Sequence, residues 1–376
     1  MSSDQIEVIS VSSRRDRKRF FNFPWRLYRN DPNWVPPLRL NQLELLNYRK
    51  HPFYLTAEIQ TFYAWREGQV VGRIAAIIDH AHNKYYDERR GMFGFFESIN
   101  ESHVAESLFD AAIGWLRERG QTAIRGPANP SQNYEWGLLI DGFQQPPTFM
   151  MTYNPPYYAD LIEEYGFVKA QDMFSFWGHV GMLEQLDRTL AFVSGEATRR
   201  FNVQVRPLDP KRFAQDVHSF LQIYNSALPG QWGFVPLSTE ELKHIATGLK
   251  HLIVPNLTTF AEIDGKPIGA VFGLLDYNPL VKKINGRLFP LGFLRLLWGR
   301  KKLKRIRLVS TNVVPEYQRW GIGLVLLQRL VGDAIRWGIE EGEFSWVLES
   351  NHLSRKSLER GGAKRTHTFR IYDKSL

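Results

Sequence analysis

The stretch Val313-Val314-Pro315-Glu316-Tyr317-Gln318-Arg319-Trp320-Gly321-Ile322-Gly323 decides the reading of the whole chain. Ile306-Arg307-Leu308-Val309-Ser310 before it reads as a strand. Residues 324–331 after it carry apolar side chains three and four apart, the spacing of an amphipathic helix. A strand therefore runs through a glycine-containing turn into a helix. The first turn of a helix has N–H groups with no intrahelical acceptor and carries the positive end of the dipole, which suits it to hold a phosphate. Glycine lets the backbone approach a ligand where a Cβ would clash.

Composition narrows the class of protein. At 376 residues the chain exceeds the roughly 250–300 at which single cores stop growing, so two domains are expected. It is 43% hydrophobic and 14% aromatic, enough for packed cores. The start, Met1-Ser2-Ser3-Asp4-Gln5, lacks the basic and apolar regions of a signal peptide. No run reaches the roughly 18–20 apolar residues of a spanning helix. The absence of cysteine excludes disulfides, thiolate metal sites and a cysteine nucleophile. It also fits a cytoplasmic protein.

The net charge is +9, and ten Lys or Arg with no Asp or Glu lie between Pro279 and Arg307. Removing that stretch leaves 9 − 10 = −1, so the positive charge is a local device. Between Pro279 and Lys304 the cations alternate with leucines, phenylalanines and Trp298. That mixture suits an anionic membrane surface or a lid over an acyl chain, and equally a segment packed as core with a solvated edge; its apolar content argues against nucleic acid.

Two copies of one α/β unit are legible. Gly72 and Gly269 sit alike on the second strands of two hairpins, 197 residues apart, and Gly166 and Gly362 match at 196. Between these, 115–120 matches 337–342 at 222, so the basic stretch is private to the second copy and the Pro/Asn-rich stretch 127–156 to the first.

The hexad from Gln318 to Gly323, with the Val-x-Pro-x-Tyr run before it, resembles motif A of the GNAT family of acyl-CoA-dependent acetyltransferases. Both copies follow that family's order of elements. The resemblance implies an α/β fold of two tandem GNAT-like acyl-CoA N-acyltransferase domains, each a mixed, mostly antiparallel sheet flanked by helices. The expected division is a degenerate domain at 1–182, a connecting helix at 183–202 and a CoA-binding domain at 203–376. The first copy has no motif A: its counterpart, 98–105, lacks glycine and carries Glu101 where a pyrophosphate would sit.

The resemblance also implies a site. Acetyl-CoA or a longer acyl-CoA would be the cosubstrate. Asn312, Val313 and Val314 would pair with its pantetheine arm and point an N–H at the thioester carbonyl. Gln318, Arg319, Trp320, Gly321, Ile322, Gly323 and Leu324 would hold the pyrophosphate. Asn351 and Ser354 would line the thiol side or cap the following helix. The tyrosine that serves many members as general acid is replaced by Leu358, and the strand before the motif lacks the usual carboxylate base. Glu349 is the substitute base and Tyr372 the candidate acid; Glu97 stands at the matching place in the first copy. No metal set is evident, since His80 and His82 share one strand end with no third ligand. The expected reaction is direct acyl transfer from CoA to an amine. A catalytically weak acyl-CoA-binding protein, or a peripheral membrane protein, is the alternative.

Overall fold

The structure is a computed structural model that describes residues 5–185 and 187–376, with the side chains of 183–191 and 193 left aside. The start of the chain read above for a signal peptide thus lies largely outside the described residues. Two compact units emerge: Met1–Met173 with Ile284–Leu288 and His367–Leu376, and Phe174–Lys283 with Phe289–Thr366.

The first unit begins with β1 (Glu7–Ser10), α1 (Arg14–Leu27) and α2 (Arg39–Leu45). Ser13 starts α1 through a reciprocal capping box with Asp16, which satisfies two otherwise orphaned donors. The hairpin β2 (Ala57–Arg66) and β3 (Gln69–Asp79) is followed by α3 (His80–Tyr86), β4 (Arg90–Ser98) and α4 (Ser102–Glu118). Then come β5 (Ala123–Gly126), β6 (Ala128–Asn129), β7 (Glu135–Trp136), β8 (Leu138–Asp141), α5 (Tyr158–Glu164) and β9 (Val168–His179), which enters the second unit after Met173. One apolar stripe of α4 faces the core: Leu108, Ala112 and Leu116 are buried with Phe62, Ile74 and Phe93.

The second unit holds α6 (Asp187–Phe201), β10 (Gln204–Pro207), α7 (Phe213–Ala227), α8 (Thr239–Leu249), the hairpin β11 (Thr258–Ile263) and β12 (Lys266–Leu275), and α9 (Asn278–Lys283). It continues with α10 (Gly292–Gly299), β13 (Arg305–Val313), α11 (Ile322–Trp337), β14 (Glu341–Leu348), α12 (His352–Arg360) and the start of β15 (Lys364–Ser375). Each unit repeats one pattern, antiparallel strands followed by a single parallel pair: β1-β2-β3-β4-β5 in the first, β10-β11-β12-β13-β14 in the second.

Three sequence expectations change in detail. The helices α4 and α11 end on matching left-handed glycines, Gly120 and Gly338. Their offset is 338 − 120 = 218, so the true register is four residues from the 222 read above; matching the tryptophans aligned the helices one turn out. The last strand, read with the second copy, pairs instead in the first unit, Tyr372 opposite Gly126 and Ser375 opposite Ala123. The basic stretch is also divided. Ile284–Leu288 belongs to the first unit, where Trp25 donates to Asn285 and the Arg39 N–H donates to the Gly286 carbonyl.

A strand wedge beside an uncapped helix

The motif loop in the second unit is built as an anion cradle. Gly321 is left-handed, at φ 78°, and directly precedes α11. It has no Cβ to resist that conformation. No side chain caps the helix, and its first turn has no acid. Among the described residues, no backbone carbonyl accepts from the N–H groups of Arg319, Gly321, Ile322 or Gly323. A Cβ built at Gly323 meets nothing within 4 Å. These donors lie at the positive end of a helix of 16 residues, where an anion is stabilised.

The loop itself is held rigidly. Gln318 donates through Nε2 to the carbonyls of Val313 and Ala227, both at 3.1 Å. Its side chain is thus spent on tying the loop to β13 and α7. Phe201 of α6 meets the rings of Tyr317 and Trp320 edge-on, at 5.7 and 5.3 Å. Arg200 lies 4.1 Å over the Trp320 ring. Arg319 is exposed.

Next to this loop two strands part. β13 and β14 pair in parallel only from Arg305 opposite Glu341 to Leu308 opposite Phe344. On its other edge β13 is bulged against β12, since Phe272 faces Ser310 and Gly273 faces Leu308, leaving Val309 as the extra residue. A bulge bends its strand and ends regular pairing. Beyond it, Val309 and Ser310 are half-buried and Thr311 is exposed, while Asn312 and Val313 are buried. A wedge opens between the C-terminal ends of the two strands.

A polar cluster closes the narrow end. Arg307 is fully buried and donates to Ser345 Oγ at 2.9 Å, and Ser345 donates to Glu343 Oε1 at 2.9 Å. Burial pushes the Arg307 guanidinium down to about 10, opposed by the charges of Glu343 and Asp276. A buried cation is tolerated only when paired in this way. Sequence reasoning passed over Glu343 and Ser345. The usable signal was alternation: Glu343, Ser345 and Val347 are the buried positions of β14.

The remaining expected residues fall as follows. Asn312 and Val313 end β13, and Asn312 donates to Ser310 Oγ; the Val314 N–H is taken by the Ile268 carbonyl at 2.9 Å. Val314 therefore cannot offer its N–H to a thioester without giving up that bond. Asn351 is the N-cap of α12 and accepts from the Ser354 N–H at 3.1 Å, so the capping alternative describes its contact. Glu349 follows the last residue of β14 at the open end and is half-buried. Leu358 is half-buried and packs against Phe174, Phe176 and Val347.

Tyr372 is carried by the last strand, β15. It lies in the first unit, fully buried, and donates to Glu163 at 2.8 Å. Burial and that carboxylate hold its phenol protonated, with the pKa well above the ordinary tyrosine value. The sequence grouped Tyr372 with the second copy; the strand that carries it pairs with β5 and sets it in the core of the first unit. His80 and His82 also differ from expectation, lying on helix α3 and not on a strand. His80 meets Glu58 and His82 meets Glu88, so the two rings serve separate partners.

The first unit has the matching wedge, differently filled. β4 and β5 pair only as far as Met92 opposite Arg125. β6 then runs against β4: the Phe95 N–H donates to Asn129 Oδ1 at 2.6 Å, and a Cβ on Gly94 would stand 1.7 Å from the Ala128 carbonyl oxygen. Glu101 is the N-cap residue of α4 and is clamped by Arg66 at 2.6 and 2.9 Å. Hydrogen bonding to Arg66 draws its carboxyl below the usual range. Glu97 is half-buried, accepts from Tyr28 at 2.5 Å and Tyr158 at 2.8 Å, and lies 3.5 Å from Arg73. Burial raises its pKa despite Arg73.

A wedge of parallel strands opening beside a glycine-led helix N-terminus is the frame of acyl-CoA N-acyltransferases. Comparison with known proteins agrees. The acetyltransferase (GNAT) family profile matches residues 217–362. The chain is 35% identical over 384 residues to Protein YghO of Escherichia coli (strain K12), covering 100% of this chain and 97% of that one. It is also 35% identical over 382 residues to the Bacterial ceramide synthase of Caulobacter vibrioides (strain NA1000 / CB15N), covering 99% and 98%. A solved tandem GNAT protein from the clavulanic acid biosynthesis pathway superposes with a TM-score of 0.58 at 11% identity, over 99% of this chain and 98% of that one. The chain belongs to the acetyltransferase (GNAT) family, in its tandem form. Among the described residues no group of three or more His, Cys, Asp or Glu could hold a metal ion, and no helix is long and apolar enough to cross a membrane.

Proposed function

We propose that the protein transfers an acyl group from acyl-CoA to the amino group of a long-chain amino alcohol, forming a ceramide-like amide. The observation that carries the transfer is the wedge with its anion cradle. Whole-length identity to a bacterial ceramide synthase supports the acceptor. In this reading the backbone N–H groups of Gly321, Ile322 and Gly323, with Arg319, hold the pyrophosphate, Trp320 flanks it, and Gln318 and Leu324 fix the loop. The pantetheine arm runs along Asn312 and Val313 toward the bulge at Val309, while Asn351 and Ser354 hold the facing rim.

The amine nitrogen attacks the thioester carbonyl carbon. A C–N bond forms, the C–S bond breaks, the thiolate leaves as CoA, and the ammonium proton passes to a carboxylate. Glu349, at the mouth, is our proposed base. A second candidate, Glu343, is favoured by its hydrogen bond with Ser345 at the closed end, where the thiol end of an extended arm arrives. General-base catalysis contributes about 10²–10⁴-fold. CoA release with long-chain amino alcohols, short amines and water as acceptors tests the reaction. Glu349→Gln should lower kcat about a hundredfold or more with CoA affinity unchanged. The same loss from Glu343→Gln alone moves the role there. Tight acyl-CoA binding with no release for any amine would make the protein a binder. The partners in this reading are acyl-CoA, the amine and the lipid surface that holds such an amine, with the protein cytoplasmic and peripheral to the membrane.

A further inference from the structure

Among the described residues thirteen large apolar side chains are exposed, and four of them fall within ten positions: Phe289, Leu291, Leu294 and Trp298. Phe289 is 77% exposed and Trp298 75%. These belong to α10 and the turn before it. The other face of α10 is anchored. Leu296 is fully buried, Phe293 meets the His251 ring edge-on at 5.7 Å, and Arg300 donates to the His251 carbonyl. Just after the helix, Lys301 sits 3.4 Å over the Trp337 ring. The apolar side chains are therefore displayed by a fixed helix.

Charge selects the occupant. No Asp or Glu occurs between Asp276 and Glu316. Arg295, on α10, and Lys302, just beyond it, are exposed with no acidic partner among the described residues. Large aromatic and aliphatic groups flanked by unopposed cations match the boundary of a bilayer, where rings sit at headgroup depth and cations meet lipid phosphates. A nucleic acid would leave the four apolar groups against a charged backbone.

We propose that α10 is a membrane-docking helix. Phe289, Leu291, Leu294 and Trp298 enter the headgroup boundary of an anionic bilayer, with Arg295 and Lys302 on its phosphates. The inference supplies the partner surface for the proposed reaction but does not depend on acyl transfer. Flotation of the full chain with vesicles of phosphatidylcholine, alone or mixed with phosphatidylglycerol, tests it. Binding to the mixed vesicles should be about tenfold stronger and weaken with salt. The triple variant Phe289→Ser, Leu294→Ser, Trp298→Ser should lose about tenfold in binding to the mixed vesicles. Arg295→Glu with Lys302→Glu should remove only the phosphatidylglycerol-dependent part. Circular dichroism reports folding, and Trp298→Ser alone replaces the triple variant if that fails to fold. Equal flotation of wild type and variants overturns the proposal, as does flotation with neither vesicle. So does a vesicle-free dimer that the apolar substitutions dissociate, or co-purifying RNA that the charge reversals release. CoA release with detergent-dispersed amine should be unchanged in all these variants, so the acyl-transfer reading stands or falls separately.

Discussion

The two wedges of this protein share one construction and differ in what fills it. In each unit a bulged strand pairs in parallel with its neighbour for a few residues and then parts from it. In the first unit β6 lies against the parted strand, and the following helix begins at Glu101, already paired with Arg66. In the second the parted strand leads to a glycine-led helix with free N–H groups. In the first copy Asn129 accepts from a strand N–H and Glu101 sets a carboxylate at the helix start, although its side chain caps no N–H; in the second copy the first turn has no acid. One strand order can thus carry a parted strand covered by its own chain or a parted strand followed by a glycine-led helix.

The strongest test of that contrast is stoichiometry. Calorimetry should give one CoA per chain, and Gly321→Glu with Gly323→Glu should weaken binding more than a hundredfold, since two carboxylates would meet the pyrophosphate at the helix terminus. Two CoA per chain would break the contrast. Next in size is Gly94→Ala, which forces a Cβ into the Ala128 carbonyl. It should cost about 1–3 kcal/mol of stability, whereas Gly323→Ala, with open space around it, should change stability by less than about 0.5 kcal/mol. Thermal melting separates the two.

A pH profile sharpens the comparison further. Burial raises the pKa of Glu97 and of Glu135 in the first unit. A carboxyl whose folded pKa is raised stabilises fully below its unfolded value and loses that contribution as pH climbs through the folded one. Denaturant melts should therefore show stability falling above about pH 4.5, with Glu135→Gln flattening the fall. The smallest effect belongs to Arg66→Ala. Its ion pair with Glu101 is partly exposed, so the loss should be about 0.5 kcal/mol, with no gain of CoA binding.

What the sequence disclosed follows from how local each signal is. The loop from Gln318 to Gly323 was legible because glycine, proline and helix periodicity act within a few residues, and the absence of that glycine pattern from 98–105 in the first copy was legible in the same way. The helices α2 and α8 went unread. The first is only seven residues with no capping side chain, and the second, although Ser238 and Glu241 form a capping box, lies in a stretch with no counterpart prominent in the repeat. The filling of the first wedge by Ala128 and Asn129 was not legible, because a two-residue strand has no period. Nor was the placement of Tyr372, whose sequence reads as any strand aromatic; only its register opposite Gly126 assigns it.

That register also bears on how the chain is made. The strand that covers β5 consists of residues synthesised after the entire second unit. While the second unit emerges from the ribosome, the first still lacks an edge of its sheet and the buried ring of Tyr372 in its core. Domains commonly fold in order of synthesis; here the first cannot finish before the second has been translated. A label or deletion at residues 367–375 would therefore injure the part of the molecule farthest from it in sequence.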